Sequence, residues 1–357
     1  MKDFFNRFIH QTTALINRTV RLYHPQTIKE KGWIWASGLG VITLIIILIL
    51  LGLYWSNIPE PFDVRSNTQN TLAEMDLKPV TGSYTTATLL TAIETLLKKP
   101  GGYLSNDVMP PSVFLDNMPN WEFGVLTQVR DLARSLRNDM SRSQSQSLEN
   151  KNLAIAEPQF NYSNNSWLFP ATEGEYSRGI KALKRYLAGL SQQGKAQTQF
   201  FARADNLRDW LAIIEKRLGS LSQRLSASVG QERVNTDLAG DPNATRSTST
   251  NDHVNVQTPW LEIDNVFYEA RGSTWALIHF LRAVEIDFHD ILNKKNALVS
   301  LRQIIRELEA TQEPISSPMV LNGKGFGMFP NYSLVMASYI SRANAAVIDL
   351  RSLMSQG

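Results

Sequence analysis

Between Trp33 and Trp55 the chain reads Trp-Ile-Trp-Ala-Ser-Gly-Leu-Gly-Val-Ile-Thr-Leu-Ile-Ile-Ile-Leu-Ile-Leu-Leu-Gly-Leu-Tyr-Trp, with no charge and no proline. A helix needs about 20 apolar residues to cross a hydrocarbon layer roughly 30 Å thick, so this run predicts a membrane span. Trp33 and Trp35 at one end, and Tyr54 and Trp55 at the other, put amphipathic rings at the depth of the two headgroup layers. A cleavable signal peptide is the competing reading. Its apolar core is shorter and is followed by small residues, whereas Leu53-Tyr54-Trp55 is bulky.

Charge gives the span a direction. Residues 1–32 carry Lys2, Arg7, Arg18, Arg21, Lys29 and Lys31 against Asp3 and Glu30, which by the positive-inside rule places them in the cytoplasm. Removing that segment from the chain's 36 basic and 33 acidic residues leaves 30 and 31. The net charge of +3 is therefore a property of the flank. Nucleic acid, which needs a basic face on a folded domain, is not an expected partner. On a helical wheel Phe4, Phe5, Phe8, Ile9, Leu15, Ile16, Val20, Leu22 and Tyr23 share one arc, with Arg7, Arg18 and Arg21 opposite. That is a basic amphipathic helix suited to an anionic inner leaflet, or a short helix packed on a partner's membrane segment. Thirty-two residues are too few for a signalling domain of their own.

Residues 56–357 then lie outside the cytoplasm, and with no cysteine they depend on a core rather than on disulfides. Thiolate catalysis and zinc–thiolate sites are excluded, and the composition fits a bacterial periplasmic domain. The Asn-x-Ser triplets at Asn161 and Asn331 are taken as chance.

The expected organisation of the exported part is all-α, a helical bundle. A connector spans 56–82. The first helical half, 83–234, opens with a helix at 84–98 that ends in Lys98-Lys99-Pro100-Gly101-Gly102. Residues 103–118, broken by Pro110 and Pro111, cannot be continuous helix and are expected as an ordered loop or a short extended crossing. A helix runs from Asn120 to about Arg142 on Val125, Leu126, Val129, Leu132, Leu136 and Met140. A polar stretch, Ser141–Asn152, leads into irregular chain up to residue 171. Thr172 and Glu175 have the form of a capping box, opening an αα-hairpin over 175–230. Its second arm repeats Leu207, Leu211, Ile214, Leu218, Leu221 and Leu225 like a coiled coil. Phe201, Trp210 and Ile213 widen that face, which favours packing inside one bundle. A polar loop, 235–257, separates the second half, 258–357, with helices from Trp260 to Ile291, across Leu298–Leu308, and from Ser333 to Met354.

Sites are scarce in this pattern. Asn322-Gly323-Lys324-Gly325-Phe326-Gly327 resembles a phosphate loop only superficially. Neither the P-loop spacing nor the dinucleotide fingerprint is met, so a flexible or partner-binding turn is expected. Glu285 and His289 stand four apart on the helix expected through 277–291, with Asp287, Asp290 and His279 nearby, and such a pair can supply two metal ligands or an acid/base couple. No third or fourth ligand is identifiable, and an ordinary surface contact is the preferred reading. Arg130, Asp131, Arg134 and Arg137 read as a solvated helix face. No serine-hydrolase, Ser-x-x-Lys or His-Glu-x-x-His arrangement occurs, and no cofactor is expected.

Four stretches carry a resemblance: Lys99–Asp107 (KPGGYLSND), Ala202–Leu211 (ARADNLRDWL), Arg217–Ser228 (RLGSLSQRLSAS) and Tyr339–Ala346 (YISRANAA). They resemble domain-of-unknown-function family 2333, over nearly the whole chain beyond the stub. The resemblance implies a proteobacterial envelope protein and carries over no catalytic residue. The leading expectation is a membrane-tethered periplasmic scaffold or interaction protein with an envelope protein partner, homo-oligomerisation being left open. The rivals are an envelope hydrolase or metal-dependent enzyme assembled from distant helices, and a ligand-binding module signalling through a partner.

Overall fold

The computed structural model describes residues 22–143, 148–192, 198–234, 253–315, 317, 319–324 and 327–356. Phe4 to Val20 of the expected amphipathic helix, Arg7, Arg18 and Arg21, most of the 235–257 loop, and Gly325 and Phe326 lie outside these residues. The chain divides into two compact units, Met1–Tyr54 and Trp55–Gly357.

In the first unit, helix α1 (Pro25–Lys31) starts on a proline whose missing N–H is one the first turn would leave unpaired anyway. Gly32, at φ 82°, separates it from α2 (Trp33–Trp55), whose last residue opens the second unit. Among the described residues α2 is the one helix long and apolar enough to cross a membrane.

Among the described residues the second unit is helical apart from one short ribbon. Its helices are α3 (Val64–Glu74), α4 (Ser83–Lys98), α5 (Asn117–Ser135), α6 (Lys151–Phe160), α7 (Thr172–Ser191), α8 (Ala204–Ser226), α9 (Ile263–Asp287), α10 (His289–Lys294), α11 (Leu298–Glu309) and α12 (Tyr332–Ser355). A π-helical turn, Leu136–Met140, extends α5 to nearly the end expected for it. Strands Gln231–Val234 and His253–Val256 pair antiparallel at the two ends of the expected polar loop.

Helix α9 is the axis of this unit. Every residue from Ala270 to Leu281 is buried, as befits a helix covered on all sides, and α5, α4 and α11 pack against it. The crossing with α5 is made by two glycines. A Cβ on Gly124 would run into the Glu269 carbonyl, and one on Gly272 into the Trp121 carbonyl, so the two backbones touch. Trp121 and Trp275 meet edge to face beside this crossing, at 5.4 Å between ring centres.

Three expectations change here. The arms of the proposed αα-hairpin do not lie along one another: α7 packs on α6 and α4, while α8 packs on α12. Helices α8 and α12 run antiparallel, with Glu215 on Arg351, Gly219 facing Asn344, and Ser222 reaching Ala337. The heptad-like seam of α8 is thus satisfied within the chain. Helix α6 occupies part of the stretch expected to be irregular, and its Phe160 ring sits where a Cβ on Gly179 of α7 would be. Thr172 does not cap α7. Ala171 holds the N-cap position, and the Thr172 hydroxyl turns back to donate to the carbonyls of Ser163 and Ser166 and to accept from the Ser166 N–H at 3.1 Å.

Candidate functional site

Helices α5, α8 and α9 enclose a cleft of about 470 Å³. Residues at helical spacing deliver its lining: Ile213, Arg217, Ser220 and Arg224 from α8, Gly124, Gln128 and Asp131 from α5, and Glu269 and Ser273 from α9. The floor is polar and satisfied, Gln128 Nε2 donating to Ser273 Oγ at 2.7 Å. The close approach at Gly124 sets the depth, because a bulkier residue there would push α5 off α9.

The walls carry Arg134, Lys216, Arg217 and Arg224 against Asp131 and Glu269. Both carboxylates are taken. Asp131 accepts from Arg217 Nε at 2.7 Å and Nη2 at 3.1 Å, and Glu269 is bound by both Nη groups of Arg224. The acids are the covered partners, with side chains 6% and 15% exposed, whereas Arg217 and Arg224 are 48% and 41% exposed. Their remaining N–H groups therefore face water. Hydrogen bonds donated to the carboxylates hold both guanidinium groups above their ordinary pKa, so the pairs stay ionised. Lys216 makes no ion pair among the described residues, and Arg134 only a long one, 3.9 Å to Glu157. The cleft is an electropositive slot with fixed guanidinium forks, chemistry that binds carboxylate or phosphate oxygens.

The residues singled out from sequence lie elsewhere. The helix expected through 277–291 breaks at Phe288, so Glu285 lies in the last turn of one helix and His289 begins the next. Glu285 accepts from Arg302 at 2.8 Å, and His289 Nε2 lies 3.0 Å from Asn293 Nδ2. Asp287 is turned inward and bonds to the start of α4. His279 is buried, its Nε2 accepting from the Phe62 N–H at 3.0 Å and its Nδ1 lying 2.6 Å from the Trp275 carbonyl. Burial pulls its pKa down to about 4, so it is neutral, with the proton on Nδ1. Among the described residues no three His, Asp or Glu side chains stand close enough to hold a metal ion.

The expected solvated face of α5 is a set of struts. Arg130 donates to the carbonyls of Phe160 and Tyr162, Arg137 bridges Glu149 and Glu157, and Asp131 is in the cleft. The glycine-rich turn before α12 is a clasp: Asn331 donates to the Gly323 carbonyl at 2.7 Å and accepts from Leu334, while Ser333 donates to Asn322. A second ionic cluster, Lys99 with Glu122 at 2.6 Å, is buried. The missed cleft residues had one signal in the sequence, Arg217 and Arg224 seven apart on a single helix face.

Fold and cleft define a class: an all-helical body with a cation-walled slot, carrying one N-terminal helix apolar enough to span a membrane. Residues 28–357 match the family described as "Uncharacterized protein conserved in bacteria (DUF2333)", and the chain belongs to that family. No curated protein and no solved structure matches it.

Proposed function

We propose that this is a bacterial inner-membrane protein with its N-terminus in the cytoplasm and its helical body in the periplasm. The body acts as an adaptor that takes an acidic segment of another envelope protein in the cleft between α5, α8 and α9. The observation that carries this reading is the pairing pattern of the cleft. Both carboxylates are held by arginines whose outer faces are exposed, and Lys216 and Arg134 add two more cations at the mouth. Proton transfer would need a carboxylate or imidazole open to a substrate. Neither lines this cleft in that state, so its chemistry favours binding over hydrolysis.

The test is photocrosslinking in cells from a reactive residue at Ser220, followed by mass spectrometry. A reproducible adduct with an acidic envelope protein is expected, lost in the double reversal Arg134→Glu/Lys216→Glu, which places like charges against the partner. Absence of any reproducible adduct from the unreversed chain sinks the proposal.

A further inference from the structure

Among the segments of the second unit that hold apolar side chains out of the core are two loops. On Asp107–Asp116, Met109 is 72% and Phe114 77% exposed, with Val108 and Val113 about half exposed. On the loop between α6 and α7, Trp167 and Leu168 are each 56% exposed and Phe169 is entirely so. Neither Val108–Leu115 nor Asn161–Ala171 contains a charged residue. Large apolar side chains gathered on uncharged loops mark a contact surface rather than scattered surface residues.

The two loops are one structure. Tyr103 donates to the Asn164 carbonyl at 3.0 Å, and Asn106 donates to the Ser166 carbonyl at 2.9 Å and to Glu173 at 2.8 Å. Beneath them Glu122 accepts from the N–H groups of Leu104 and Ser105. The stems are fastened, so the tips are presented and not merely loose.

What covers them is indicated by Trp55. Its indole lies against Gly101, which stands at φ 83° and has no Cβ to displace the ring. Trp55 is also the last residue of α2. Seven residues separate Gly101 from Val108 in sequence, a reach of at most roughly 25 Å, and three separate Asn164 from Trp167, roughly 10 Å. The exposed rings thus lie within a loop's reach of residues tied to the spot where Trp55, the first residue of the second unit, packs. Tryptophan and phenylalanine suit the headgroup layer.

We infer that Val108, Met109, Val113 and Phe114, together with Trp167, Leu168 and Phe169, enter the outer headgroup layer of the bilayer that α2 crosses. They fix the body against the membrane as a second contact beside the anchor. The inference rests on the reading of α2 as a membrane span, and the test separates the two.

The chain has no cysteine, so single cysteines can be introduced and labelled with an environment-sensitive fluorophore without background. The variants are Phe114→Cys, Phe169→Cys, Val299→Cys at an exposed position of α11 as the aqueous control, and Val41→Cys within α2 as the anchor control. Each full-length labelled chain is reconstituted into phosphatidylethanolamine/phosphatidylglycerol vesicles and titrated with lipids carrying a doxyl quencher and, separately, with iodide. The labels at 114 and 169 are expected to lose most of their fluorescence to doxyl lipid and little to iodide, opposite to the label at 299. If both follow the label at 299 while the one at 41 is quenched by doxyl lipid, the loop contact is overturned and the anchor stands. Failure of doxyl lipid to quench the label at 41 overturns the anchor and the contact with it. Protection of 114 and 169 from both quenchers means that protein covers the tips, and that too overturns the inference.

Discussion

Asp287, the last residue of α9, caps the helix in which Thr85 sits. Its carboxylate accepts from the Thr85 N–H and hydroxyl, both at 2.7 Å, and from the Gly82 N–H at 2.9 Å. Helix α4 has no side-chain cap of its own, because Gly82 stands at its N-cap position with φ 90° and the Phe200 ring occupies the space of a Cβ. A carboxylate borrowed from two hundred residues away meets the first-turn donors and the positive end of the helix dipole. Asp287→Ala leaves those donors buried and unpaired, and should cost about 2–4 kcal/mol. Asp63→Ala removes a cap from the exposed start of α3 and should cost only about 1 kcal/mol. Urea denaturation of the detergent-solubilised chain, followed by tryptophan fluorescence, checks the difference. Equal costs for the two variants would mean that the trans cap is not special.

Two buried groups make stability depend on pH in opposite directions. Burial pushes Asp287 up to about 6 despite its hydrogen bonds, so its contribution is fully present below the ordinary carboxylate value and is lost as pH rises through about 6. Burial pulls His279 down to about 4, so its contribution is present above the ordinary imidazole value and is lost as pH falls through about 4. Each is a swing of roughly 3 kcal/mol, and between pH 4 and 6 they offset. Asp287→Asn should therefore make stability climb more steeply from pH 4 to 6.5 than in the parent chain. His279→Gln should make it fall over the same range. Denaturation midpoints measured at several pH values decide, and profiles parallel to the parent's would refute both assignments.

The glycine crossing of α5 and α9 leaves no room for even a methyl group. Gly124→Ala and Gly272→Ala each force backbone apart from backbone, with an expected loss of roughly 3 kcal/mol or more. Gly174, in the exposed first turn of α7, meets nothing within 4 Å, so Gly174→Ala should instead stabilise by about 0.5–1 kcal/mol. Circular-dichroism melting of the three variants checks the opposite signs.

Helices with a regular apolar face were legible in the sequence: α4, α5, α8, α11 and α12 lie within a few residues of where the three- and four-residue spacing puts them. Helix α6 was not. It is 10 residues long, contains Pro158, and turns inward only Leu153, Ala156 and Phe160, so its periodic signal is slight. The partners of each helix were less legible still. Adjacency in sequence suggested that α7 pairs with α8, but Phe160 filling the notch at Gly179 draws α7 to α6 instead. The cleft was hidden for the same reason. Arg217 meets Asp131 across 86 residues and Arg224 meets Glu269 across 45, and no local spacing encodes such pairs. Short-range spacing favoured Glu285 with His289, which the break at Phe288 places on successive helices.

Lys99 read as a helix-end charge, yet its ammonium is buried against Glu122 and donates also to the Gly102 carbonyl. Glu122 in turn accepts from Leu104 and Ser105, so the Lys99–Asp107 stretch wraps a single buried carboxylate. Burial pushes the Glu122 carboxyl above its ordinary value, with Lys99 opposing the shift. Lys99→Met strands the carboxylate and should cost about 3–5 kcal/mol near neutral pH. The loss should shrink as pH falls, because a protonated Glu122 has no charge to compensate. Adding Glu122→Gln to Lys99→Met should recover part of the stability and remove that pH dependence. A double-mutant cycle by urea denaturation measures the coupling, and additivity within about 0.5 kcal/mol would show that the two groups do not act as a pair.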